Sequence, residues 1–456
     1  MRSVEALRRR VPRGPFARSV LTLAAGTGLA QVIVVLSAPV LTRLYSPADY
    51  GLFSVATSIM SILIAVTCLR YEFSLPLPRE DETAANLLAL AFLVNLAMSL
   101  VAFVALWLTG GWIESVLGAG ALGPWIVLIA LGQFGGGAVS ILGTWAIRTK
   151  TFSEIAAMRM TQAIALVTVQ VTLGVAGFGI PGLLAGDVAG RISGSGRLAR
   201  SAWRTNAAAF RRVSRAGMAA GARRYVRFPL FSSPSALLNV LGLRLPLLAI
   251  VALFDASAAG RYALADRVSS IPLTLVAGAV AQVYLGEAAQ GAREHPAEVR
   301  GLFVRTTVSL TRMAIVPAIV LAGLAPMLAG PVLGSAWTET GVFIAVLVPM
   351  YFVTFIATAT GETLYVLERQ DLQLVREVVR VVLLGGAVPL AAVLHLSIVG
   401  AIAMLSAAGC ITYLVYGSIS WYAIIRAPSH PHRTQPSAVD QGVAADAGQT
   451  VGSSAP

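Results

Sequence analysis

Arg244, Asp266 and Arg267 each stand inside a stretch otherwise apolar enough to cross a membrane. A charge held in hydrocarbon costs about 2.5–3.5 kcal/mol on insertion scales, so each of the three needs a partner or a wet cavity. Two arrangements meet that need. The residues can form a charged cavity wall for an anionic ligand, with Asp266 holding an arginine in place. Alternatively, they can neutralise one another as a structural ion pair between neighbouring helices. Asp187 and Arg191 stand four apart with the acid first, which puts them on one face of a helix. Gly182, Gly186, Gly190 and Gly194 run along that helix as a small-residue stripe that favours tight packing. Glu362 is a further acid at the inner end of a span. It and Asp187 are the candidates to bind a coupling cation, with an interfacial carboxylate as the plainer reading of Glu362. Arg159 and Arg312 lie one to two turns from the cytoplasmic face and can snorkel to it.

Other chemistry is not supported. The four histidines, His295, His395, His430 and His432, are not spaced as metal ligands. No nucleophile–base set can be argued from these positions, so no metal, no cofactor and no enzymatic activity are expected. Lys150, the single lysine, follows Thr149, which excludes a phosphate-binding P-loop. The two cysteines, Cys68 and Cys410, read as packing residues rather than a disulfide framework.

The elements that must hold these residues follow from composition. The chain has 456 residues, 57% hydrophobic and 12% charged, against roughly 25% charged for soluble domains. This is an all-α membrane protein. A spanning helix needs about 20 apolar residues, and by that measure spans fall near 19–41, 50–69, 84–109, 122–146, 155–177, 181–197, 228–253, 260–285, 304–328, 341–366, 375–394 and 399–424. With the N-terminus inside, 28 of the 34 basic residues fall on the cytoplasmic side and only Arg43 and Arg261 on the other. That bias supports twelve spans with both ends cytoplasmic.

The segment 191–227 holds ten arginines and no acid. Trp203, Phe210, Val213, Met218 and Tyr225 punctuate it at helical spacing, as in a helix lying on an anionic membrane surface with its apolar side down. Nucleic acid is not the expected partner. The resulting organisation is a basic cytoplasmic arm (1–17), a six-helix bundle (18–197), a basic amphipathic linker (198–227), a second six-helix bundle (228–425) and a disordered cytoplasmic tail (426–456). A faint repeat supports two equivalent halves. Leu44-Tyr45-Ser46-Pro47-Ala48-Asp49-Tyr50-Gly51-Leu52-Phe53 parallels Leu253-Phe254-Asp255-Ala256-Ser257-Ala258-Ala259-Gly260-Arg261-Tyr262, each the first outer turn of its half. Six is even, so the halves share one orientation.

Thr42 to Phe53 resembles the first outer turn of the polysaccharide biosynthesis (O-antigen or exopolysaccharide) flippases. Leu69-Arg70-Tyr71-Glu72, the run Gly260 to Val268 followed by Ile271-Pro272, and Gly334-Ser335-Ala336-Trp337 are similar to further motifs of that family. The resemblance implies the multidrug/oligosaccharidyl-lipid/polysaccharide exporter superfamily, with two six-helix bundles forming a V and helices 1, 2, 7 and 8 lining a central cavity. It implies a substrate, an undecaprenyl-diphosphate-linked oligosaccharide, moved from the inner to the outer leaflet of the bacterial inner membrane by alternating access. Arg70, Arg244 and Arg267 become the cavity arginines, with Asp266 beside them. Membrane lipids, a coupling proton or sodium ion, and other polysaccharide-assembly proteins are the implied partners. A cation-coupled multidrug exporter of the same superfamily and a membrane glycan polymerase or ligase are the alternatives. The first calls for an acidic or aromatic cavity, and the second for larger outer loops.

Overall fold

The computed structural model describes residues 15–117, 123–294, 296–367 and 369–426. The arm up to residue 14, His295, and the tail from residue 427 with His430 and His432 lie outside them. The described residues are almost wholly helical and contain no strand. In chain order the helices are α1 (Pro15–Leu36), α2 (Ala38–Leu44), α3 (Pro47–Val66), α4 (Asp81–Leu117), α5 (Ile126–Arg148), α6 (Phe152–Val175), α7 (Ile180–Phe210) and α8 (Arg215–Arg224). They continue with α9 (Ser233–Leu253), α10 (Ala256–Glu294), α11 (Pro296–Leu333), α12 (Thr338–Thr360), the short α13 (Thr363–Val366), α14 (Gln370–Val393) and α15 (Ile398–Ile425).

The twelve expected spans are all helical, α1 and α2 together forming the first. Among the described residues, nine helical segments are long and apolar enough to cross a membrane. The other three spans are α7, α10 and α14, and their composition explains the difference. Asp187 and Arg191 lie in α7, Asp266 and Arg267 in α10, and Arg376, Glu377 and Arg380 in α14. Charges that lower a helix's hydropathy must face protein or water rather than lipid.

Helix starts are set locally. Ser46 caps α3 in a capping box: its hydroxyl accepts from the Asp49 amide at 3.1 Å, and the Asp49 carboxylate accepts from the Ser46 amide at 3.0 Å. Pro47 follows at the first helical position, where its missing N–H costs nothing. Ser214 and Ser397 cap α8 and α15 through the hydroxyl alone, accepting from the Gly217 and Gly400 amides.

With twelve crossings, Pro15 and Arg426, the ends of the described residues, lie on one face, the terminus face, and the turn Tyr45–Ser46 lies on the opposite, distal face. The first half (α1–α7) and the second (α9–α15) form a V whose arms join distally. One apolar core runs through both, from Leu41, Tyr45 and Tyr50 to Ile250, Ala259 and Trp337.

The basic linker differs from its expectation. No glycine or proline interrupts the chain between Arg197 and Phe210, so the sixth span continues beyond residue 197 as α7, kinked at Asn206 and ending at Phe210. Only Asn206 departs from helical angles. Its apolar residues turn toward protein instead of lying face down on a membrane. Phe210 meets Trp145 of α5 at 5.2 Å between ring centres. Met218 and Ala222 of α8, with Tyr225 just after it, pack on α4 around Leu87. Trp203 alone stays largely exposed, stacked on Phe210 at 5.9 Å.

Candidate functional site

The distal join is built by two glycines. A Cβ at Gly51 would overlap the carbonyl oxygen of Ala256, and a Cβ at Gly260 would overlap that of Pro47. Gly51 and Gly260 are equivalent positions of the sequence repeat, as are Pro47 and Ala256, so each half presses its glycine on the other's helix start. Trp337, buried, completes the closure. Its indole N–H donates to the Thr42 carbonyl across the halves at 2.9 Å, and its ring meets Tyr50 edge-on at 5.1 Å. Arg261, at the rim of the same join, pairs with Glu339.

On the terminus side of this seal lie two adjoining chambers of about 300 and 480 Å³. The first is walled by α3, α7, α9 and α10 and contains Arg244, Tyr262 and Asp266. The second is walled by α1, α6 and α7 and contains Gln31, Arg159 and Gln162. Asp187, Arg191 and Arg267 line both, which makes them one cavity. Spans 1, 2, 7 and 8 thus contribute to the wall, joined by spans 5 and 6. By a rise of 1.5 Å per residue, Arg191, Arg244 and Arg267 sit about 14–17 Å from the distal ends of their helices, near mid-membrane depth.

The four arginines differ in what holds them. Arg191 is held by Asp187 on its own helix, at 2.7 Å through Nε and 3.3 Å through Nη2. This two-point fork is strong and directional. Arg244 donates to the Ser61 hydroxyl of α3 at 3.2 Å, and Arg159 to the Gln162 side chain at 3.4 Å. Arg267 has no ion pair or hydrogen bond among the described residues. Asp266 accepts from the Tyr351 hydroxyl of α12 and pairs with neither arginine. Four guanidinium groups against two carboxylates leave the cavity cationic.

Arg244, Arg267, Asp266 and Asp187 are therefore brought together. Arg70 and Glu362 are not. Val66 ends α3, and Leu69 and Arg70 both take left-handed backbone angles, φ 47° and 61°. That turns Arg70 into a short 3-10 segment, where it lies 3.9 Å from Glu72 and 4.7 Å over the Phe73 ring, away from both chambers. Glu362 sits in the turn after α12, half-buried and outside the cavity wall. Two cavity residues were not singled out from sequence as such, Arg159 and Arg191. The acid-first spacing of Asp187 and Arg191 was the available signal for the second. Its depth depended on where the sixth span ended.

The glycines of α5 make room for this arrangement. A side chain at Gly132 would strike Met60, one at Gly137 would strike Asn95, and one at Gly136 would meet Ile64 and the Arg191 guanidinium. The stripe on α7 does the same against α6, Gly186 meeting Gln170 and Gly194 meeting Gln162.

Two bundles, sealed at one end around a charged mid-membrane cavity, define a multi-pass membrane protein with a transporter fold. The sequence profile of a family described as polysaccharide biosynthesis protein matches residues 40–341, and the chain belongs to that family. The fold is that of the multidrug/oligosaccharidyl-lipid/polysaccharide exporter superfamily. The lipid II flippase MurJ, in an inward closed conformation, superposes with a TM-score of 0.71 at 10% identity, covering 89% of this chain and 91% of its own. A MATE transporter in complex with MaL6 gives 0.63 at 13% identity, over 89% and 96%. A superfamily transporter from Pyrococcus furiosus, described as having a binding pocket of reverse polarity, gives 0.58 at 14%, over 89% and 95%. No curated protein matches the chain in sequence.

Proposed function

We propose that this protein flips a lipid-linked oligosaccharide, carried on undecaprenyl diphosphate, from the inner to the outer leaflet of a bacterial inner membrane. The observation that carries the reading is Arg267, a guanidinium at mid-membrane depth with no ion pair or hydrogen bond among the described residues, which lines both chambers. Holding such a charge there is costly unless a wet cavity or an anion meets it. Its planar fork, with those of Arg159, Arg191 and Arg244, suits phosphate oxygens held at two points.

Membership of a polysaccharide biosynthesis family fits a sugar cargo. The diphosphate enters from the terminus face, taken as cytoplasmic, while the lipid tail stays in the bilayer beside α1, whose Leu29, Val32 and Leu36 are exposed. Rocking of the halves closes that side and parts the glycine seal. The drive is an ion gradient, with Glu362 or Asp187 as the cation site, or consumption of the exported glycan. Asp187 already meets a guanidinium, which weakens its case as a cation ligand. A drug exporter for cationic compounds would face four arginines in the same cavity.

The test is Arg267→Ala with the leaflet distribution of lipid-linked sugars as readout. Head groups accumulating on the inner leaflet, with normal membrane insertion, are expected. Normal glycan export in that variant would remove Arg267 from the site and take the reading with it.

A further inference from the structure

A third space, of about 620 Å³, opens beside the terminus-face ends of α6 and α7, outside the central cavity. Its wall carries Arg197, Arg200 and Arg204, spaced to lie along one face of α7, with the hydroxyls of Ser193, Ser201 and Thr205 among them. Glu154 is the one acid in the wall, and it is taken up by Arg197 at 3.4 Å. Arg200 and Arg204 are exposed and have no ion pair among the described residues. The Ser193 and Thr205 hydroxyls already donate to the Gly190 and Ser201 carbonyls, so the three cations with their one counter-charge are what form a receptor for phosphate oxygens.

Its position is as telling as its composition. Along α7, by 1.5 Å per residue, Arg204 lies about 6 Å from Arg200, Arg200 about 4.5 Å from Arg197, and Arg197 about 9 Å from Arg191. Every step is within the roughly 8–10 Å over which charges act on one another at physiological salt. Arg191 lines the central cavity, and α6 supplies Thr161 to the groove and its neighbour Gln162 to the cavity. The groove and the cavity thus share α6 and α7, and Arg191 is the next arginine along α7 after Arg197.

We infer that the groove of Arg197, Arg200 and Arg204 is a loading site. It captures the diphosphate of the lipid-linked substrate and passes it along α7 to the cavity. This rests on the flippase reading above. The phosphate of an anionic phospholipid shares the chemistry, so the test separates the two sources.

The probe is farnesyl diphosphate, mixed rapidly with the full chain in nanodiscs of phosphatidylcholine alone or of phosphatidylcholine with phosphatidylglycerol. Wild type is compared with Arg200→Gln/Arg204→Gln, whose exposed positions spare the packing, and with Arg267→Ala. The expected result is an association rate about tenfold slower in the double variant, with the amount bound at saturation kept, since steering by surface charge acts on encounter. Arg267→Ala should keep the fast capture and lose the amount bound. Equal rates in wild type and double variant would overturn the loading site and leave the flippase reading standing. Absence of binding by the wild type would overturn both. Slowing of the wild type by phosphatidylglycerol to the double variant's rate would make the groove a phospholipid site and also overturn the proposal.

Discussion

At the scale of single residues, the cavity is defined by how each arginine is held. Arg191 is satisfied within its own helix by Asp187, so Asp187→Asn should leave the fold inserted and the guanidinium free. A charge some 8 Å away acts by roughly 2 kcal/mol at an effective dielectric near 20. Removing the carboxylate should therefore tighten farnesyl diphosphate binding about thirtyfold and slow turnover, because release becomes harder. A titration showing weaker binding would sink this account of Asp187. Arg244 reaches Ser61 with one nitrogen and leaves the rest of its fork toward the cavity. Lysine there keeps the charge and loses the two-point geometry. Hydrogen bonds to charged groups contribute about 1.5–3 kcal/mol, so Arg244→Lys should lower transport by about tenfold or more. A wild-type rate would show that charge alone suffices. Depth and charge marked Arg244, Asp266 and Arg267 in the sequence. The Asp266 partner, Tyr351, could not be read there, because it comes from α12, some 85 residues away. Nor could the left-handed Leu69 and Arg70 be foreseen, since neither residue type favours that backbone.

Among the elements, the close crossing of α3 and α10 carries the distal seal. Alanine at Gly51 or Gly260 would put a methyl group into a facing carbonyl, and overpacking of this kind costs about 1–3 kcal/mol. Either substitution should hold the halves apart distally, read as new labelling of a cavity cysteine from the distal side; unchanged labelling would show that the seal closes elsewhere. The turn after α3 offers a pH test outside the spans. Burial pushes the Glu72 carboxyl above its usual range, against the smaller opposing pull of its own backbone hydrogen bond and of Arg70. The folded state then binds more protons than the unfolded one, so the penalty is full at neutral pH and fades as the pH falls toward the ordinary carboxylate value. Glu72→Gln should raise the Tm at neutral pH, with the gain vanishing in acid; a loss of stability at neutral pH would reverse the assignment. Element positions were legible because apolar length fixes membrane spans. The extension of α7 was not, because nothing in a run of alanine, serine and arginine marks where a helix leaves the bilayer. For the same reason Arg191 counted as a cytoplasmic charge rather than a cavity residue.

For the whole molecule, the two halves repeat one another and meet through equivalent residues, so closure is a property of their relative tilt. Contacts at the seal are made by helix starts and one tryptophan, Trp337, with no buried ion pair among the described residues; parting them would open the shared apolar core there, while the clusters around Trp145 in the first half and Phe355 in the second would stay whole. The charged cavity lies on the terminus side of this seal, and the proposed flipping takes that side as cytoplasmic, the side an excess of basic residues favours. That orientation predicts the sidedness of access. Thr57 lines the cavity and bonds only its own helix, at the Ser54 carbonyl, which makes Thr57→Cys a gentle reporter once Cys68 and Cys410 are replaced by alanine. In inverted vesicles an impermeant maleimide should label it, and in right-side-out vesicles it should not. Gly260→Ala should add labelling from the right-side-out preparation. Labelling of the parent from outside alone would overturn the proposed orientation and, with it, the side from which a diphosphate is proposed to enter.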